Sequence, residues 1–369
     1  MIKLPIILIM LLLFSCAPSE PDEYIPPDID KVEHSPNAKR LLNFLADNYG
    51  QKIISGQQDT SWTTNTGQSN SIDMIARVYK DTGKYPAIKG FDLIQLPYSG
   101  NPYQAGKEQI DEAIEWWDGK NNNVQLLSDT SIHGIVTFCW HWRMPKTVGS
   151  NEFDFRPETT NFRIPWKDGK LDTESDAFKI IKSDLDKVAE LFQLLKDKDI
   201  PVLWRPLHEA SGGWFWWGAS GAKPCIALWE YMYDYLGNTK GLTNLIWVWN
   251  GQKRSWSPFA DTVDIVGYDV YAAEHDYGSQ KQKFNETGKM VQKENLIIAM
   301  SENGVIPDPV KCKNDNAMWS WFCVWNDGGS TGFWSGEDYN SNSHKTYVYN
   351  HDLVITLDEL PDLTAYRLD

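Results

Sequence analysis

Short apolar runs that stop abruptly at ionisable or aromatic residues recur along this chain, separated by stretches with the spacing of amphipathic helices, and few folds accommodate that alternation. A parallel strand covered on both faces reads as an unbroken apolar run, needs a helical crossover to its neighbour, and delivers polar groups at its C-terminal mouth. The clearest instance is Pro201 to Gly218, PVLWRPLHEASGGWFWWG. Val202, Leu203 and Trp204 run into Arg205, Pro206, His208 and Glu209, then through Gly212 and Gly213 to Trp214, Phe215, Trp216 and Trp217. Strand interiors reject such groups, so the chain has left the core for a pocket rim at that point. Flat rings beside a carboxyl suit sugars, whose C–H faces lie on aromatics while their hydroxyls need polar partners.

The rest of the chain extends the pattern. Asn37 to Tyr49 reads as a leading helix, Lys52 to Ser55 as a first strand, and Ser71 to Thr82 as a helix capped by Ser71. Pro86 to Phe91 is a second strand ending in Asp92, followed by a helix over Ala105 to Trp117. Ile135 to Phe138 is the third, ending in Trp140-His141-Trp142; a polar insertion from Arg143 to Ser175 follows, and its Phe153, Phe155, Phe162 and Trp166 favour a functional loop over a disordered one. Asp176 to Lys198 carries a helical stripe at Ile180, Leu185, Val188, Leu191, Leu194 and Leu195. Beyond the fourth strand come a helix at Ala227 to Leu236, a fifth strand at Leu245 to Trp249 ending in Asn250, and a sixth at Ile265 to Gly267 ending in Tyr268, Asp269 and Tyr271. Lys281 to Glu294 is helical, and Leu296 to Met300 is a seventh strand ending in Ser301-Glu302-Asn303-Gly304. Trp319 to Val324 reads as the eighth, leading into a Gly-rich loop that bears Trp334. The expected fold class is α/β, a (β/α)8 TIM barrel. The length of 369 residues also allows two domains, but no linker interrupts residues 37–369, so a single catalytic domain is expected there.

Lys3 precedes an apolar run from Leu4 to Phe14, too short for a permanent bilayer span, that closes on Leu13-Phe14-Ser15-Cys16. This is similar to a bacterial lipoprotein signal over residues 1–15 with Cys16 as the lipidated N-terminus; the alternative is a secretory signal with an incidental cysteine. Residues 16–36, rich in Pro, Asp and Glu, read as a flexible tether. The acidic residues behind Cys16 resemble the export signals of surface lipoproteins, which implies anchorage to the outer membrane, surface-exposed or facing the periplasm. Of the remaining cysteines, Cys139 reads as a free core thiol, while Cys312 and Cys323 form a bridge or stay free with equal weight. A net charge of −15 argues against a nucleic-acid partner. A neutral polymer or a small molecule remains open, and several of the 18 Trp sit in polar, Gly-rich surroundings where burial alone would not place them.

Glu209 and Glu302 fall at the ends of strands four and seven, roughly three βα units apart. Two carboxyls facing across one mouth are what glycoside hydrolysis needs: one donates a proton to the leaving oxygen, and the other stays ionised to attack or to activate water. Either Glu alone reads equally as a structural salt bridge. His208 beside Glu209 lacks the second His that a helical zinc motif requires, so no metal and no cofactor is expected. His141 is either a sugar contact or a core imidazole with a satisfied partner, and Tyr268 either a site phenol or a loop brace. Arg205 reads as a carboxylate-orienting fork. Trp216 and Trp217 stand between groove wall and core, and Asp92 and Asn250 between hydroxyl contacts and structure.

The runs RPLHEASGGWFWWG, GYDVY and SENG, with IISGQQD near residue 53 and WHWRMP near residue 140, resemble glycoside hydrolase family 26, whose best-known members are β-mannanases. The similarity covers about Asn37 to Leu363. It implies a barrel whose acid/base follows strand four and whose nucleophile follows strand seven, hence Glu209 as acid/base and Glu302 as nucleophile. It further implies His208 beside the 2-hydroxyl, Trp214 as the aromatic at the cleavage point, Tyr268 as the phenol bonded to the nucleophile, His141 as a glycone-side contact and Trp334 as the stacking residue of the eighth loop. The expected activity is retaining endo-β-1,4-mannanase on mannan or manno-oligosaccharides, by a monomer. The alternatives are a β-glucanase or xylanase of the same family, or a glycan-binding lipoprotein without turnover.

Overall fold

The computed structural model describes Tyr24 and residues 29–60, 73–96, 102–147, 149–327 and 332–368. Eight parallel strands close a barrel in sequence order: β1 (Gly56–Gln58), β2 (Ile88–Asp92), β3 (Ile135–Cys139), β4 (Val202–Arg205), β5 (Leu245–Trp249), β6 (Ile265–Val270), β7 (Ile297–Asn303) and β8 (Phe322–Val324). Apart from the half-buried Tyr268, every residue of these strands is buried, which is why their runs read as apolar rather than alternating. Nine helices surround or flank the barrel among the described residues: α1 (Pro36–Asn48), α2 (Met74–Thr82), α3 (Pro102–Trp117), α4 (Asp176–Lys196), α5 (Trp216–Ala219), α6 (Ala222–Tyr233), α7 (Lys281–Thr287), α8 (Pro309–Asn314) and α9 (Asn342–Tyr349). Between β5 and β6 the crossover is built from two short 3-10 turns, Arg254–Trp256 and Ala260–Thr262.

Three expectations shift. Lys52 to Ser55 is not the first barrel strand: Ile53–Ile54 pairs in parallel with Val354–Ile355 outside the barrel, and the barrel strand is the polar Gly56–Gln58 that follows. A side chain at Gly56 would place Cβ 2.6 Å from the Phe322 carbonyl oxygen, so the approach of β1 to β8 requires glycine there and leaves no apolar signal to read. The cap of α2 is Asp73, which accepts from the Ala76 amide at 2.8 Å; Ser71 lies outside the described residues. On α4, capped by Ser175, the buried stripe uses Ile181 and Phe192, whereas Ile180 and Leu194 are only partly covered.

Residues 32–35, expected to belong to a tether, are packed on the barrel. Val32 is buried and its amide donates to the Tyr233 hydroxyl at 2.9 Å, His34 Nε2 lies 3.1 Å from Asp264, and the Ser35 amide donates to Thr243 at 2.8 Å. Cys16 lies outside the described residues. Cys139, Cys225, Cys312 and Cys323 are all buried free thiols, so Cys312 and Cys323 form no bridge. No described helix is long and apolar enough to cross a membrane.

The insertion after β3 folds into two small hairpins, Met144–Pro145 with Phe153–Asp154 and Trp166–Lys167 with Lys170–Leu171. It is fastened to α5: the Trp216 amide donates to the Phe155 carbonyl at 3.0 Å, and Phe162 packs edge-on against Trp216 at 5.2 Å. The loop after β3 is thereby tied to the segment that carries Glu209.

Candidate active site

At the end of β4 the backbone turns sharply. Leu207 and Glu209 both take φ +52°, the left-handed region, before the 3-10 turn Ala210–Gly212. Non-glycine residues enter that region at a cost, which is tolerated where the surroundings fix the chain. Here the Glu209 amide donates to the Asn250 carbonyl at 2.8 Å, locking the turn to the end of β5.

Glu302 is the sixth residue of β7, 6% exposed. Its Oε2 accepts from Arg205 Nη2 at 2.6 Å, and its Oε1 accepts a short hydrogen bond from the Tyr271 hydroxyl. The other arm of Arg205 reaches Asp269 Oδ2 at 2.8 Å. Asp269 Oδ1 accepts from Asn250 Nδ2 at 2.7 Å and from the Ser301 hydroxyl at 3.0 Å. Burial would drive the Arg205 guanidinium toward neutrality, but the two carboxylates hold it charged. The guanidinium forms a rigid fork between Glu302 and Asp269 and ties both to β4.

Glu209 stands across the mouth. One carboxylate oxygen from each of Glu209, Asp269 and Glu302 lies within 4.8 Å of the other two. Burial raises the Glu209 carboxyl above the usual carboxylate range and the neighbouring Glu302 raises it further, while a hydrogen bond from Trp214 and the charges of Arg205 and His141 pull it back. Trp214 Nε1 donates to Glu209 Oε2 at 2.8 Å, and Gln252 Nε2 lies 3.4 Å from Oε1. A carboxyl whose protonated form is favoured by burial, beside one clamped by an arginine, is the asymmetry that acid/base chemistry requires.

A polar and aromatic rim completes the site. His141 follows β3 and lies with Nδ1 2.7 Å from Asp92 Oδ2. Burial would lower this imidazole, but the Asp92 carboxylate more than offsets it and raises it. His208 is buried 4.7 Å edge-on from His141 and 5.0 Å from Phe215; burial, with Arg205 and His141, lowers it strongly and keeps it neutral, and its Nδ1 has no hydrogen-bond partner. Asp92 and Asn250, read as alternatives between hydroxyl contacts and structure, are buried and spend their polar atoms on His141, Glu209, Asp269 and Ser301.

Two groups of metal-ligand type, Asp92-Cys139-His141 and Glu209-Asp269-Glu302, bring their atoms within 4.8 Å of one another. In both, the carboxylates already bond protein donors, and burial raises the Cys139 thiol well above its ordinary range, which disfavours the thiolate a metal would need.

Two expected site residues lie elsewhere. Tyr268 is not bonded to Glu302. It is half-buried with Lys283 of α7 over its ring at 5.2 Å, facing the helical layer. Side chains alternate along a strand, and Gly267, Asp269 and Tyr271 face inward, so the phenol bonded to Glu302 is Tyr271. The second is Trp334, which is fully buried outside the barrel, its Nε1 donating to Asp81 Oδ2 of α2 at 3.0 Å and its ring edge-on to Tyr349 of α9 at 5.5 Å. The aromatic that β8 delivers to the rim is Trp325, half-buried with its ring 5.6 Å from His141. It is the first residue after β8, as Asn250 is after β5 and Tyr271 after β6, and that strand-end position is the signal that could have found it. Trp216 and Trp217 are core, each 0% exposed, whereas Trp214 stands 49% exposed at the rim.

The profile of glycosyl hydrolase family 26 matches residues 31–359. The chain belongs to that family. A mannan endo-1,4-beta-mannosidase of Thermothelomyces thermophilus is 34% identical over 347 residues, covering 92% of this chain and 64% of the relative. The first three such relatives are spanned over 51% to 64% of their length, so this family 26 chain corresponds to a part of each. Among solved structures, a beta-mannanase from a symbiotic protist of the termite Reticulitermes speratus, complexed with gluco-manno-oligosaccharide, superposes with a TM-score of 0.73 at 32% identity, covering 90% of this chain and 97% of that one. The GH26-CBM35 beta-(1,4)-mannanase of Podospora anserina gives 0.71 at 30% identity, covering 95% of this chain and 72% of that one. The family 26 match spans all eight barrel strands, and the residues assembled at the mouth are those at the strand ends.

Proposed function

We propose that this protein is a retaining endo-β-1,4-mannanase in which Glu302 attacks the anomeric carbon and Glu209 serves as acid, then base. The observation that carries the proposal is the unlike treatment of two facing carboxyls: Glu302 clamped by Arg205 and Tyr271, Glu209 held up by burial with an oxygen within 4.8 Å. Carboxyl groups about 5 to 5.5 Å apart serve double displacement, whereas inversion needs roughly 6.5 Å or more to admit a water. In the first step Glu209 gives its proton to the glycosidic oxygen as that bond to the anomeric carbon breaks and Glu302 bonds the same carbon. In the second, Glu209 takes a proton from water, whose oxygen displaces Glu302. Mannan is favoured as substrate because mannanases are the relatives on both the sequence and the structural side.

We further propose a monomer held at the membrane by a lipid on Cys16, with residues 1–15 removed, residues 16–36 as a tether that docks on the barrel at Tyr24, whose hydroxyl donates to Glu230, and again from Val32 to Ser35, and residues 37–369 as one catalytic domain; the Leu4 to Phe14 run and its LFSC ending support the anchor. Incubation of the purified chain with mannan, mixed-linkage glucan and xylan, read as new reducing ends and as product lengths, tests the activity. Oligosaccharides from mannan alone are expected. Binding without new reducing ends on any polymer contradicts the enzyme reading.

A further inference from the structure

Trp214 makes an unusual contact for an exposed aromatic. Its ring is 49% exposed, and its one ring neighbour among the described residues, Phe215, lies 6.5 Å away centroid to centroid, yet its Nε1 bonds Glu209 Oε2 at 2.8 Å. The loop is shaped to deliver that bond. The indole folds back over Gly212, where a Cβ would lie 2.2 Å from Cη2 and Cζ3, and Gly213 takes φ +76°. Among the described residues, the second oxygen of Glu209 has only the long 3.4 Å contact to Gln252 Nε2. A ring used solely as a stacking platform needs neither the back-folded pose nor the aimed N–H.

We propose that the Trp214 indole N–H determines which oxygen of Glu209 carries the catalytic proton. An indole nitrogen only donates, so Oε2 must act as acceptor. In a protonated carboxyl the carbonyl oxygen accepts better than the hydroxyl oxygen, which leaves the proton on Oε1. Trp214 is thus a positioning residue as well as a sugar platform. During glycosylation the Oε1 proton passes to the glycosidic oxygen while Oε2 stays bonded to the indole. During deglycosylation the N–H stabilises the carboxylate and leaves Oε1 free to take the proton of the attacking water. This rests on Glu209 being the acid/base.

The charged and titratable groups acting on Glu209 come from several elements: Glu302 of β7, Asp269 of β6, Arg205 of β4, His141 after β3, and the phenols Tyr268 and Tyr271. Replacing the indole by phenyl changes none of them. Trp214→Phe keeps a flat ring and removes only the donor. Loss of a hydrogen bond to a charged group is expected to lower kcat on mannan roughly tenfold or more, with KM little changed. The alkaline limb of the pH profile will move upward, because the N–H favours the ionised form of Glu209 and its removal raises that carboxyl further. Hydrolysis of a dinitrophenyl mannoside, whose leaving group needs no proton, will keep its glycosylation rate. In a Glu209→Ala background the same substitution will add no further loss on that substrate. Carbon-13 titration of Glu209 in the free protein supplies a readout independent of turnover and will show the same upward shift. An unmoved titration and pH limb in Trp214→Phe, or an equal loss on mannan and on the activated substrate, overturns the proposal and leaves Trp214 as a platform. If Glu209→Ala is instead as inactive on the activated substrate as on mannan and azide restores nothing, the acid/base assignment has failed rather than the role of Trp214.

Discussion

Replacing Arg205 by Met removes a cation of similar volume that two buried carboxylates share, at 2.8 Å to Asp269 and 2.6 Å to Glu302. Both ends are sealed, with side-chain exposures of 4% for Arg205, 0% for Asp269 and 7% for Glu302, so water cannot replace the guanidinium. Breaking a buried pair by deleting one partner costs about 3 to 5 kcal/mol, a large share of a typical stability of roughly 5 to 15 kcal/mol. The cost is expected to depend on pH. Asp269 is already raised by burial, with Arg205 the main influence pulling it down, so the variant raises it further. A group raised in the folded state contributes stability below its unfolded value and loses it as pH rises through the folded value. The deficit of Arg205→Met is therefore expected to be small near pH 4 and full at pH 8. Urea unfolding of both proteins at pH 4, 6 and 8 reads it directly. A deficit below about 1 kcal/mol at pH 8, or one that does not change with pH, refutes the idea that Arg205 neutralises a buried carboxylate pair.

Tyr271→Phe removes the phenol from Glu302 and is expected to lower kcat on mannan about 10- to 100-fold with KM little changed, whereas Tyr268→Phe stays close to the parent; steady-state kinetics of the two separate them. Trp334→Ala is expected to cost about 3 to 5 kcal/mol in chemical denaturation while the folded fraction keeps its kcat/KM. Trp325→Ala should reverse that pattern, losing kcat/KM with little loss of stability. Because burial raises Glu209, the native state loses stability as pH rises through that carboxyl, so Glu209→Gln is expected to be more resistant to heat than the parent at pH 8 and no different at pH 4.

The fold was legible where a strand is apolar and ends in charge. Leu245–Trp249 was readable at its true limits, because a strand buried on both faces must be built from such residues, while Val202–Arg205 runs one residue past the apolar stretch, its buried arginine paired with two carboxylates. Gly56–Gln58 was not, since close strand approach at Gly56 and buried glutamines carry no apolar signal, and the neighbouring Ile53–Ile54 drew the assignment instead. The carboxyl pair could be named from the ends of strands four and seven. Its partners could not all be named from motif position: the choice between Tyr268 and Tyr271 depends on which side of β6 faces inward, a parity that a three-residue strand reading could not settle. Trp334 shows the opposite error. A Trp in a Gly-rich loop resembles a stacking residue, yet Trp334 lies away from the mouth, where Asp327 and Asp81 accept from its backbone and indole N–H groups outside the barrel.

Azide chemistry on the two glutamate variants tests the proposed roles most directly. Glu209→Ala supplied with a dinitrophenyl mannoside and azide is expected to regain rate and to release the mannosyl azide with the substrate's own anomeric configuration, as seen by proton NMR, because azide enters after Glu302 has already inverted the centre once. Glu302→Ala is expected to yield no product of retained configuration. Rescue confined to Glu302→Ala, or an azide product of inverted configuration from Glu209→Ala, contradicts the assignment.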